Sequence, residues 1–138
     1  MSEGTFKKVG ESEKPMYGPR AILACGFTPS EQKTMTTLLD TIQLSDVSVI
    51  FATDADARTC LCELLALPNQ TGRNTDCNIE RAVVLSGMTE KEFQQILFTY
   101  KGVGLPRPLW AALTPFSENW LLSNLLKELQ KERIAMEQ

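Results

Sequence analysis

Residues 20–65 and 81–126 align with each other without a gap at a constant offset of 61 positions, and this internal likeness constrains the fold more than any other feature. The matched pairs are Arg20/Arg81, Ala21/Ala82, Gly26/Gly87, Thr28/Thr89, Glu31/Glu92, Thr53/Thr114, Leu61/Leu122, Leu64/Leu125 and Leu65/Leu126. With Leu44/Leu105 these make ten identities over 46 positions, against the roughly three that ordinary composition produces. The matched residues are turn glycines, helix caps and core leucines, so what recurs is a structural unit. With 138 residues, the chain suits a single domain built from both copies. The expected boundaries are a flexible lead-in over 1–19, copies at 20–67 and 81–129, a turn-rich linker over 68–80, and a C-terminal helical extension.

Each copy carries the same succession of signals. Residues 21–25 are a short apolar run ended by Gly26, which reads as a strand. Thr28 then suits an N-cap, Pro29 the first helical position and Glu31 a capping box. Met35, Leu38, Leu39 and Ile42 follow at amphipathic-helix spacing. Residues 47–52 read as a second strand rich in β-branched side chains. Thr53 and Asp54 cap a second helix through Ala57, Cys60, Leu61, Leu64 and Leu65, which Pro68 stops. The second copy restarts with a strand at 82–85, a box from Thr89 to Glu92, and a helix through Phe93, Ile96, Leu97 and Tyr100. After a loop over 102–108 come a fourth strand at 109–113 and a turn at Thr114-Pro115. A last helix carries Trp120, Leu121, Leu122, Leu125, Leu126 and Leu129.

The order is therefore β-α-β-α twice. All four strands are continuous apolar runs, as expected where both faces of a sheet are covered. The expected fold is α/β: a four-stranded, largely parallel sheet with helices on both faces. A ferredoxin-like α+β sheet with two added helices is the alternative.

Composition narrows the function. A net charge of −3 and a pI near 5.0 offer nucleic acid no basic face. No apolar run approaches the roughly 20 residues of a membrane span, and the N-terminus lacks the apolar middle of a secretion signal. A cytoplasmic protein without membrane attachment is expected. Cys25, Cys60, Cys62 and Cys77 are scattered over strand, helix and linker, unlike a disulfide framework, so reduced thiols are expected. The chain has no histidine, which removes the commonest general base and every Cys–His or Ser–His pair. No nucleotide-binding glycine motif occurs, so no cofactor is expected. A zinc site would need all four cysteines to converge. Cys60 and Cys62, two apart on one helix, would point to different faces, so no metal site is expected either.

In the second copy, Ser86-Gly87-Met88-Thr89 with Glu92 is followed by Thr114-Pro115, Asn119-Trp120 and Leu125-Leu126-Lys127-Glu128-Leu129. This pattern resembles a small bacterial domain family of unknown function, marked by a G-[FM]-[ST]-x-x-E turn and a later T-P-x-x-x-N-W turn. The likeness covers about residues 81–134. The first copy keeps Gly26-Phe27-Thr28 and Glu31, but it has Thr53-Asp54-Ala55 and Arg58-Thr59 at the second turn, and so is the degenerate one. The resemblance implies a bacterial source and carries over no activity.

In a parallel α/β sheet the strand-to-helix turns share one edge, where such folds bind ligands. The candidate ligand contacts are accordingly Gly26, Thr28, Thr53, Gly87, Thr89 and Thr114, each at a helix start whose free N–H groups favour an anion. A competing reading gives the threonines to capping and the glycines to tight turns. Asn119, beside Trp120, is a further candidate contact. Cys25 is the candidate nucleophile, three residues before a helix start. Its competing reading is a small buried hydrophobe. The functional expectation is a non-enzymatic binding or interaction module, a monomer or weak dimer, with a small ligand or a protein as partner. The alternative is a thiol-based enzyme or redox regulator using Cys25.

Overall fold

Four strands, β1 (Ala21–Cys25), β2 (Ser48–Phe51), β3 (Ala82–Ser86) and β4 (Leu109–Ala112), form one sheet in the order β2-β1-β3-β4. The computed structural model describes residues 14–75 and 77–137, with side chains as far as 133. The helices are α1 (Pro29–Thr41), α2 (Leu61–Leu65), α3 (Glu90–Gly102) and α4 (Leu122–Glu137). The bounds of β1, α1 and β2 recur in β3, α3 and β4 after an offset of 61, and α4 begins 61 positions after α2.

The sheet is mixed, which corrects the expectation of a largely parallel one. β1 is parallel to β2 and β3 to β4, but β1 and β3 run antiparallel, with Ala21 opposite Ser86 and Cys25 opposite Ala82. The cause lies in how two like units meet. Each β-α-β crossover makes its own two strands parallel. Joining two such units through the same edge is self-complementary only about a two-fold axis, and such an axis normal to the sheet reverses the second central strand. Strand order also departs from the ferredoxin-like alternative. That fold splits each β-α-β unit with an intervening strand, whereas here the parallel partners are neighbours.

Helices do cover both faces, as the unbroken apolar runs require. On one face Ile22, Ala24, Val49, Phe51, Val83 and Leu85 pack with Met35, Leu38 and Leu39 of α1 and Ile96 and Tyr100 of α3. On the other, Leu23, Cys25, Ile50 and Val84 pack with Leu61, Leu64 and Leu65 of α2 and Leu122, Leu125 and Leu126 of α4. Alternation of side chains along each strand makes this division. Every residue of β1 and β3 is buried.

Two helix boundaries differ from the sequence expectation. The helix expected after Thr53 is a 3-10 turn at Asp54–Arg58 followed by the short α2, because Thr59 and Cys60 are extended between them. Their backbone is taken by the other half: Leu122 N–H donates to Thr59 O, Leu61 N–H to Trp120 O, and Cys62 N–H to Glu118 O. The last helix likewise starts only at Leu122, after turns through 115–120.

The connecting segments are pinned along the strands. Of the lead-in, 1–13 lie outside the described residues, while Met16 N–H donates to Met88 O and Gly87 N–H to Tyr17 O. In the linker, Gln70 N–H donates to Val49 O and Phe51 N–H to Thr71 O, so residues 69–71 run along the outer edge of β2. The buried Gln32 of α1 holds the linker further on, accepting from Asn74 N–H and donating to Thr75 O.

Candidate functional site

The antiparallel seam separates the strand-to-helix turns. Gly26, Thr28 and Thr53 lie at the edge where β1 and β2 end, and Gly87, Thr89 and Thr114 at the opposite edge. Since the expectation of a common ligand rim rested on parallel strands, these six residues form two separate sets.

Their local chemistry is directed inward. At the first turn, Thr28 Oγ1 accepts from Glu31 N–H at 3.3 Å, and Thr28 N–H donates to Glu31 Oε1 at 2.9 Å. The box recurs at the third turn, where Thr89 Oγ1 accepts from Glu92 N–H at 3.1 Å and Thr89 N–H donates to Glu92 Oε1 at 3.0 Å. At the second, Asp56 Oδ2 accepts from Thr53 N–H at 2.8 Å and from its hydroxyl at 3.2 Å. At the fourth, Thr114 Oγ1 accepts from Ser117 N–H, and Thr114 N–H donates to Ser117 Oγ. The carboxylates of Glu31, Glu92 and Asp56 thus stand where a bound anion would have stood.

Each glutamate of the two capping boxes is held by an arginine of the other half. Arg20 Nη1 and Nη2 donate to the two oxygens of Glu92 at 2.8 and 2.7 Å, and Arg81 Nη2 lies 2.9 Å from Glu31 Oε1. The Arg20 hydrogen bonds, with help from the Thr89 N–H, hold the Glu92 carboxyl below its ordinary range despite partial burial. For Glu31, burial pushes upward, but the Thr28 N–H and Arg81 together outweigh it, and the net shift is downward. Arg20 also reaches Asp46, through Nε at 2.8 Å, and the Arg81 guanidinium lies 4.8 Å over the Phe27 ring.

The glycines complete the same seam. Gly26 has φ of +77°, and a Cβ there would sit 2.7 Å from Ile79 O; Gly87 has φ of +65°, with Gly18 O at 2.5 Å. Each turn presses against the residues just before the opposite half's first strand. Only glycine combines that conformation with that approach.

Cys25 is fully buried in β1, and burial pushes its thiol far above the ordinary range, so a reactive thiolate is disfavoured there. Its place in the strand is that of the competing reading, a small buried hydrophobe.

Asn119 lies elsewhere, on the face of α2 and α4. There the structure brings together residues that sequence reasoning had set apart. Cys60 Sγ and Cys62 Sγ are 3.1 Å from each other, with Glu63 Oε1 3.3 Å from Cys60 Sγ and Asn119 Oδ1 3.7 Å from Cys62 Sγ. The expected divergence of the two thiols assumed a helix through both. Cys60 is instead the extended residue before α2, with φ −76° and ψ 154°, and its side chain folds back onto Cys62. The C-x-C spacing was the available signal, and the break at Thr59 was the missing fact. Among the described residues no group of three or more His, Cys, Asp or Glu is arranged to hold a metal ion.

Beside the thiols, a groove of about 480 Å³ runs along the start of α4, lined by Asn119, Trp120, Asn124, Lys127, Glu128 and Lys131. Trp120 is 39% exposed and forms part of the groove wall. Lys131 pairs with Glu128 at 3.3 Å. The volume lies in the range of small-molecule sites.

No helix among the described residues is long and apolar enough to cross a membrane. No curated protein matches the chain, and no solved structure does. Residues 81–136, spanning β3, α3, β4 and most of α4 and less than half of the chain, match the model of a family described as a domain of unknown function, DUF3783.

Proposed function

We propose that this protein is a non-enzymatic binding module made of two copies of one β-α-β-α unit, and that its ligand occupies the groove at the start of α4. The groove carries the reading: it offers an exposed indole face, two amides at Asn119 and Asn124, and two lysines, at 127 and 131. That set suits a small molecule bearing a planar ring and an anionic group, the ring stacking on Trp120 and the anion meeting the amides and Lys127. Three of the four turns are furnished with carboxylates of their own, which favours the groove over them as the anion site. The four unbridged cysteines fit a reducing, cytoplasmic setting.

The test is an amide chemical-shift titration of the full chain with a panel of aromatic carboxylates and nucleoside monophosphates. Saturable shifts confined to about residues 119–131, lost in Trp120→Ala and weakened in Lys127→Ala, are the expected result. Shifts centred on Gly26 or Gly87, or no saturation by any member of the panel, would overturn it.

A further inference from the structure

We infer that Cys60 and Cys62 form a redox-active dithiol that closes to an intramolecular disulfide by exchange with small-molecule disulfides. The two sulfurs are 3.1 Å apart, nearer than unbonded sulfurs ordinarily approach, and both residues are half-buried rather than enclosed. The backbone permits closure. Two residues of fully extended chain span roughly 7 Å at most, and the helical turn at Leu61 shortens this into the range of about 4.4–6.8 Å between Cα atoms that disulfides require. The arrangement is also peculiar to the first half: at the offset of 61, Leu121 and Ser123 stand in place of Cys60 and Cys62. Nothing in the pairing of the halves therefore calls for two thiols here.

The groups around the pair assign an order to the exchange. Cys60 Sγ faces both Cys62 and the Glu63 carboxylate, and these contacts keep its thiol above the ordinary range. With Cys60 Sγ engaged by Glu63 Oε1, the first attack is assigned to Cys62, whose proton passes to water as the new bond forms. Cys62 attacks one sulfur of a disulfide RSSR, forming a mixed disulfide and expelling RS⁻. Cys60 then gives its proton up toward Glu63 Oε1 and attacks Cys62 Sγ, expelling the second RS⁻. Two protons released by the protein go to the two leaving thiolates. The sum is protein dithiol plus RSSR giving protein disulfide plus two RSH, with the protein oxidised by two electrons and RSSR reduced.

The experiment treats the reduced, full-length, native chain with oxidised glutathione, quenches by alkylation, and maps the products by mass spectrometry. The expected product has lost two hydrogens, both from the peptide bearing Cys60 and Cys62, and dithiothreitol restores them. In Cys60→Ser, a glutathione adduct on Cys62 is expected to persist at least about tenfold longer than in the unaltered chain, because the resolving thiol is gone. Stable adducts on both cysteines without closure, closure through Cys77, or a native pair that stays unreacted while the denatured chain reacts would each overturn the inference. Should Cys60→Ser disturb the fold, the mapping of the unaltered chain decides alone.

Discussion

Four charged side chains, Arg20, Glu31, Arg81 and Glu92, tie the two halves together within the seam. The glutamates cap their own helices and receive the arginine of the opposite half. Their pH behaviour follows. The folded carboxyl of Glu92 titrates below its unfolded value, so its contribution is complete above about pH 4.3 and fades as pH falls through the folded value. Gln keeps the capping box, so Glu92→Gln loses chiefly the ion pair with Arg20 and is expected to lower stability by about 0.5–1 kcal/mol near pH 7. In denaturant titrations the gap from the unaltered protein should narrow as pH falls below the ordinary glutamate range and close once the folded carboxyl is protonated. Arg20 keeps Asp46 in that variant, so no orphaned cation complicates the comparison. Capping boxes are local patterns and were legible in the sequence, as were the turn glycines. Their partners were not: nothing in a four-residue motif says that an arginine 72 positions away will meet Glu92.

At the scale of elements, the strands and the helices α1 and α3 were legible because each is fixed by its own apolar period and, for the helices, its cap. The break between the 3-10 turn and α2 was hidden because its cause is non-local: the backbone of Thr59 and Leu61 is bonded to Leu122 and Trp120 of the other half. The direction of β3 against β1 was hidden for the same reason. The glycines separate the two kinds of constraint. Gly26→Ala and Gly87→Ala should each cost about 1–3 kcal/mol, since a side chain meets both a left-handed backbone and a carbonyl of the opposing segment. At Gly102, the last residue of α3, an added Cβ would meet nothing within 4 Å. There alanine should stabilise by about 0.4–1 kcal/mol. Thermal or urea unfolding of the three variants checks both signs at once.

For the whole molecule, each half is a β-α-β-α unit whose inner strand is completed by the other. The seam is backbone pairing from Ala21 to Cys25 along Ser86 to Ala82, sealed by two core layers. A chain divided within 72–78 and co-expressed as two fragments should assemble one-to-one without a covalent link. Fragment 81–138 alone should self-associate, β3 taking the place of β1 against another β3. Sedimentation of the fragments, separate and mixed, is the check; a monodisperse, folded, monomeric fragment 81–138 would contradict the account. The undivided chain should sediment as a monomer of 15.4 kDa.

The crossed arginine–glutamate pairs also bear on how the two halves can change over time. An alteration at Arg20 is felt at Glu92, in the other half, and one at Arg81 is felt at Glu31, so neither half can change there on its own. Positions outside those bonds carry no such tether, and at the offset of 61 Arg58 aligns with Asn119 and Cys60 with Leu121, where the two halves already differ.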